Sequence, residues 1–275
     1  MIKPVDVNGL FQKYVRDYLV KNKGKIKPDE VEEKTAEIYR DFEKTNFSEL
    51  DGKTPDTYYS DEEDLIGLLK LYIEKNVEVD EYLVDEIRKR VEKCELKKLI
   101  SPAENEEVTE VALEILSDDV LFCKDECVEL LFADGVCEHI VNDLVEMLIP
   151  IADDVKDAVL DKIAQTGRND SYLVEILSHS TVKDDRIKEL ILSGLKSGKR
   201  IPEYADYARI YDDESMVKDM TEILKTIEEY VPYKELNMAI ESLGGSLDEK
   251  DFSFDSDYIA IKKAEAEELN NEHKD

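Results

Sequence analysis

The chain is short of cations. Its 275 residues hold 37 lysines and arginines against 68 aspartates and glutamates, a formal net charge of −31. A field of that sign repels nucleic-acid phosphates and anionic membranes, so no direct nucleic-acid or membrane partner is expected, whereas basic proteins are favoured. Histidine is also scarce: His139, His179 and His273 are the whole set, and none sits in a catalytic pattern. Four cysteines are too few for a disulfide framework in a chain of this length. No window approaches the roughly 18 uninterrupted apolar residues of a spanning helix. Residues 1–17 lack the continuous apolar core of a secretory signal, which points to a cytoplasmic location.

What is present suffices for a core, at 42% hydrophobic residues. Residues 104–228 carry recurring acidic pairs, Asp118-Asp119, Asp153-Asp154, Asp184-Asp185 and Asp212-Asp213, each opening a segment of helical apolar spacing. Val155, Ala158, Val159 and Ile163 follow the second pair; Ile187, Leu190, Ile191 and Leu195 follow the third. Aspartate suits a helix start because its carboxylate accepts orphan amides and favours the positive end of the helix. Gly135, Gly167 and Gly198 stand where a left-handed cap would end three of these segments. Partner helices with their own stripes lie between, around Val108–Leu116, Ile140–Leu148 and Leu173–Leu177. The unit is a helix, an Asp-Asp turn, a second helix and a glycine link. Its spacing shortens from 35 to 31 to 28 residues. One such pair cannot bury both stripes, whereas stacked neighbours form a continuous core.

Aspartate near the start of the second helix, followed by small and aliphatic positions, resembles the HEAT-type α-solenoid repeat over residues 60–243. That resemblance implies an all-α, right-handed α-α superhelix, a class that serves mostly as binding scaffolds and includes a few enzymes. The repeats here are shorter than usual for it. Residues 1–59 read as an N-terminal helical cap, residues 60–245 as the HEAT-like array, and residues 246–275 as an acidic tail, first docked and then disordered. The turn Leu50-Asp51-Gly52-Lys53-Thr54-Pro55 is similar to segments of bacterial helical proteins and of the toxin-binding part of some antitoxins. Gly52-Lys53-Thr54 lacks the first glycine and the strand of a phosphate loop, which excludes that reading.

The first 28 residues differ from the rest, with seven lysines or arginines (Lys3, Lys13, Arg16, Lys21, Lys23, Lys25, Lys27) against two acids. Their apolar stripe, Val7 to Leu19, makes a basic amphipathic helix suited to a membrane surface, a partner, or a cap on the array. Pro28-Asp29-Glu30 opens a second helix. In the tail, Phe252, Phe254, Tyr258 and Ile259 are expected to pack against the last helices.

Candidate chemistry is sparse. Cys123, Cys127, Cys137 and His139 form the best metal set, yet their spacing matches no strong zinc signature, and cysteine is a common core residue. Asp251, Ser253, Asp255 and Asp257 suggest a calcium loop, but Ser256 stands where glycine is required and Lys262 where glutamate is. No metal or cofactor is expected. Tyr204, Tyr207 and Tyr211 recur at helical steps beside Asp206, Asp212 and Asp213, which could form an aromatic and acidic surface for a basic peptide. The alternative is that these tyrosines pack between helices. The leading expectation is a non-enzymatic scaffold that binds a basic protein or segment through acidic surface. The alternatives are an acidic mimic of nucleic acid that inhibits a DNA- or RNA-binding protein, and an enzyme with a carboxylate-lined cleft.

Overall fold

A computed structural model describes residues 2–22, 31–246 and 250–272, with side chains at 31–33 and 265–272 excepted. Regular structure among these residues is helical, and β pairing is limited to one bridge between Phe47 and Lys53. The expected all-α class is therefore observed. Two compact units are present: residues 1–119 with 133–140, and residues 120–132 with 141–275.

The first unit holds α1 (Val7–Lys21), α2 (Val31–Glu43), α3 (Leu65–Glu74), α4 (Glu81–Arg90), α5 (Lys93–Leu96) and α6 (Glu106–Leu116). Four of these helices begin at a side-chain cap. Asp6, Asp64, Asp80 and Asn105 accept the amides of Gly9, Gly67, Leu83 and Glu107. The first half of the apolar stripe of α1 packs inside the unit, where Val7 and Leu10 are buried. Phe11 meets Tyr39 and Phe42 edge-on at 5.3 and 5.0 Å, and Tyr14 meets Phe42 and Phe47. The residues before α1 are tied down by polar groups: Tyr58 donates to the Lys3 carbonyl at 2.7 Å, and the Val5 amide donates to the Tyr72 hydroxyl at 3.1 Å. Lys23, Lys25, Lys27 and Pro28-Asp29-Glu30 lie outside the described residues. Thr54 precedes a short 3-10 helix with Pro55 first, although its hydroxyl meets Asp56 and Thr57 rather than a backbone amide.

Helix α8 (Glu138–Leu148) starts in the first unit and continues in the second. The second unit also holds α7 (Val120–Leu131), α9 (Ala152–Thr166), α10 (Ser171–Ser178), α11 (Asp185–Ser197), α12 (Ile201–Tyr211), α13 (Val217–Leu224), α14 (Tyr230–Ser242) and α15 (Ser256–Glu272). Contacts run to the next helix and to the next but one: α10 packs on α9, α11 and α12, α11 on α13, and α12 and α13 on α14. That pattern is compatible with stacked helix pairs of a repeat-like fold.

The acidic pairs do sit at helix starts, in more than one way. Asp184 caps α11 through the Arg186 amide, and Asp213 caps the turn into α13 through the Ser215 amide. Asp118 and Asp119 lie in a 3-10 turn ahead of α7. Asp153, in the first turn of α9, accepts the hydroxyls of Ser180 and Thr181 at 2.6 Å each and the Thr181 amide at 2.9 Å. It thereby ties one interhelical turn to the next. Gly167 and Gly198 end α9 and α11 with φ of 70° and 74°.

The tail departs from expectation. Phe252 is buried against Tyr230 and Tyr233, and Tyr258 packs on Tyr230 at 4.9 Å, but Phe254 and Ile259 are exposed. From Ser256 the chain is helical to Glu272. The sequence there is poor in apolar residues but rich in alanine and glutamate, which favour a helix without burial.

Candidate partner-binding groove

Where α11 ends, α12 begins, α13 ends and α14 begins, the second unit opens into a groove of about 740 Å³. Its floor comes from the last or first apolar residues of those stripes: Leu195, Ile201, Ile223 and Ile227, with Pro232 beside them. Each of the first four is at most 7% exposed, so the floor is a set of edges of core side chains. Round it stand four exposed carboxylates, Asp219, Glu222, Glu228 and Glu229, against one ammonium, Lys196. Glu222 pairs with Lys225 at 2.6 Å, while Asp219, Glu228 and Glu229 make no ion pair among the described residues.

Backbone dipoles largely cancel here, because the C-terminal ends of α11 and α13 bring partial negative charge and the N-terminal ends of α12 and α14 partial positive charge, so the field comes from the carboxylates. Lys250 from the tail donates to the Ile227 carbonyl and lies over the Tyr233 and Phe252 rings. The arrangement can hold an apolar side chain flanked by cations. Its lining supplies carboxylates and aliphatic groups, with no histidine or cysteine among them.

A second cleft of about 430 Å³ lies between α10, α11 and α12. Of its three charged lining residues, Asp170 is held by Arg168 at 2.9 Å, and Arg200 is held by Ser171 at 2.7 Å and Glu203. Lys199 is the third.

The six residues singled out from the sequence each have a place inside the second unit. Tyr204 and Tyr207 are 8% exposed with rings 5.5 Å apart, and Tyr211 is fully buried. Burial raises the pKa of all three hydroxyls. The Tyr211 hydroxyl donates to the Asp184 carbonyl, and Lys183 lies over its ring at 4.4 Å while donating to the Tyr211 carbonyl. Asp206 pairs with Arg209, Asp212 ends α12 in the left-handed region at φ 51°, and Asp213 caps the next turn. The three tyrosines are thus largely buried inside the second unit, with Tyr204 also lining the cleft of about 430 Å³.

Cys123 and Cys127 are buried on α7 with sulfurs 3.8 Å apart. Cys137 and His139 belong to the other unit, where His139 faces Glu110 at 3.9 Å. Among the described residues no group of three or more His, Cys, Asp or Glu is placed to hold a metal ion. Asp251 and Asp255 spend their carboxylates on nearby amides, those of Ser253, Asp257, Tyr258 and Tyr230. His179 ends α10, and His273 lies outside the described residues. No described helix is long and apolar enough to cross a membrane. The groove itself escaped sequence reasoning, because its floor joins Leu195 and Ile201 to Ile223 and Ile227 only once four helix ends converge, and acids are common everywhere.

Comparison with known proteins gave no match to a protein-family model, to a curated protein or to a solved structure.

Proposed function

We propose that this chain is an irregular HEAT-like array acting as a non-enzymatic interaction scaffold, and that the groove at α11–α14 receives a basic segment of a partner protein. The observation that carries this reading is the juxtaposition of an apolar floor with four exposed carboxylates. An aliphatic side chain of the partner fills the floor, and flanking lysines or arginines meet the rim. The apolar contact supplies affinity, while the charge supplies on-rate and partner choice. A cytoplasmic setting and the absence of a direct nucleic-acid role belong to the same reading, since the overall field disfavours polyanions.

The test uses a labelled peptide in which lysines flank a single isoleucine, titrated with the full chain and read by fluorescence anisotropy. Binding should weaken at least about tenfold when salt rises from ~0.1 M to ~1 M, as the screening length falls from ~10 Å to ~3 Å. Reversing Glu222, Glu228 and Glu229 to lysine should abolish it. Reversing three exposed acids of the first unit, Glu63, Glu95 and Glu107, changes the net charge equally and should leave most of the affinity. If both triple variants bind alike, only the diffuse field matters and the groove reading is wrong.

A further inference from the structure

We infer that the basic segment this groove receives is the chain's own, residues 21–27 of a second copy, an inference that rests on the groove reading above. The segment reads Lys21-Asn22-Lys23-Gly24-Lys25-Ile26-Lys27. It carries four lysines and no acid, and no other seven-residue window of the chain reaches four net positive charges. Its one aliphatic residue, Ile26, stands between Lys25 and Lys27. That is the pattern the groove calls for, an apolar side chain flanked by ammonium groups over a floor ringed by carboxylates. Lys21 is the last residue of α1 and is exposed.

Two copies each carrying −31 repel one another, and this shapes the expected behaviour. At very low salt the long-range repulsion opposes pairing. Near ~0.1 M the screening length of ~10 Å removes most of that repulsion, yet leaves charges in contact attracting. At ~1 M the contact pairs are screened as well. Self-association is therefore strongest at intermediate salt, unlike capture of a small basic peptide, which weakens steadily as salt is added.

The deciding experiment is sedimentation velocity of the full chain across that salt range, with two charge-reversal variants. In one, Lys21, Lys23, Lys25 and Lys27 become glutamate; in the other, Glu222, Glu228 and Glu229 become lysine. Circular dichroism checks that both retain their helix content. Each variant alone should be monomeric at concentrations where the unaltered chain associates, because segment and groove then carry the same sign. Mixed in equal amounts they should associate again, since the reversed segment of one complements the reversed groove of the other. A chain that stays monomeric at every salt overturns the inference, as do single variants that associate like the parent or a mixture that stays apart. The lysine–isoleucine peptide separates this failure from that of the groove reading: peptide bound by a monomeric chain keeps the groove and removes the self-pairing, and no binding removes both.

Discussion

Tyr59 donates to the buried carboxylate of Asp80 at 2.5 Å and shares a 2.7 Å hydrogen bond with Tyr72. Asp80 also accepts the Leu83 amide at 3.1 Å and so caps α4. Burial raises the Asp80 pKa above 3.8, against the pull of these donors. A carboxyl with a raised folded value binds its proton more tightly when folded. Its contribution to stability is complete below 3.8 and is lost as pH rises through the raised value. Asp153 has the opposite sign. The hydroxyls of Ser180 and Thr181 lower it to about 2, so its contribution is present above 3.8 and is lost as pH falls through about 2. Thermal midpoints measured from pH ~2 to ~8 should separate the two. Asp80→Asn should flatten the decline on the upper side, whereas Asp153→Asn should remove part of the acid-side loss and lower the midpoint at neutral pH. Tyr59→Phe strips one donor from a buried carboxylate and should cost about 1–3 kcal/mol in urea unfolding. A loss near zero would mean that Asp80 finds another partner.

Helix α11 packs against α12 where Gly194 faces the Tyr204 ring, and a methyl group at Gly194 would stand inside that ring. Gly194→Ala should therefore destabilise the second unit by about 1–3 kcal/mol through overpacking, despite alanine's better helix propensity. Tyr204→Ala in the same chain should recover part of the loss, a coupling that a double-mutant cycle would measure. Additive losses would sink the contact as the cause. This contact also marks where sequence reading stops. Helix starts at Asp184 and Asp213 and helix ends at Gly167 and Gly198 were legible because capping is chemistry between residues a few positions apart. The apolar stripes likewise identified the core face of α9 and α11, where Val155, Val159, Ile187 and Ile191 are buried. The role of Tyr204 was not legible, since a tyrosine at helical spacing suits a core or a surface equally well. What decided it was a glycine ten residues earlier on another helix. The groove was hidden for the same reason, because Leu195, Glu222 and Glu229 meet only when four helix ends converge.

At the scale of the whole chain, 68 acids face 37 cations, and most observed ion pairs are between partly exposed side chains. Such pairs contribute about 0–1 kcal/mol each and are themselves weakened by salt. Repulsion among the unmatched carboxylates acts on the compact state at longer range and opposes folding. The sign of the salt effect on stability thus depends on which of the two is larger. An excess of 31 negative charges makes repulsion the larger. The thermal midpoint should rise as sodium chloride goes from ~0.01 M to ~0.15 M, while the screening length shrinks from ~30 Å to ~8 Å. Over the upper part of that range, binding of the lysine–isoleucine peptide should weaken. Differential scanning calorimetry and anisotropy in the same buffers would give both trends. Opposite signs are what a self-repelling body with a local cation-binding groove requires. A midpoint that falls with salt would instead place the stability in networks such as Arg186 with Asp157 and Asp184, which bridge α9 and α11. Peptide binding that strengthened alongside stability would leave the acidic rim no part in recognition.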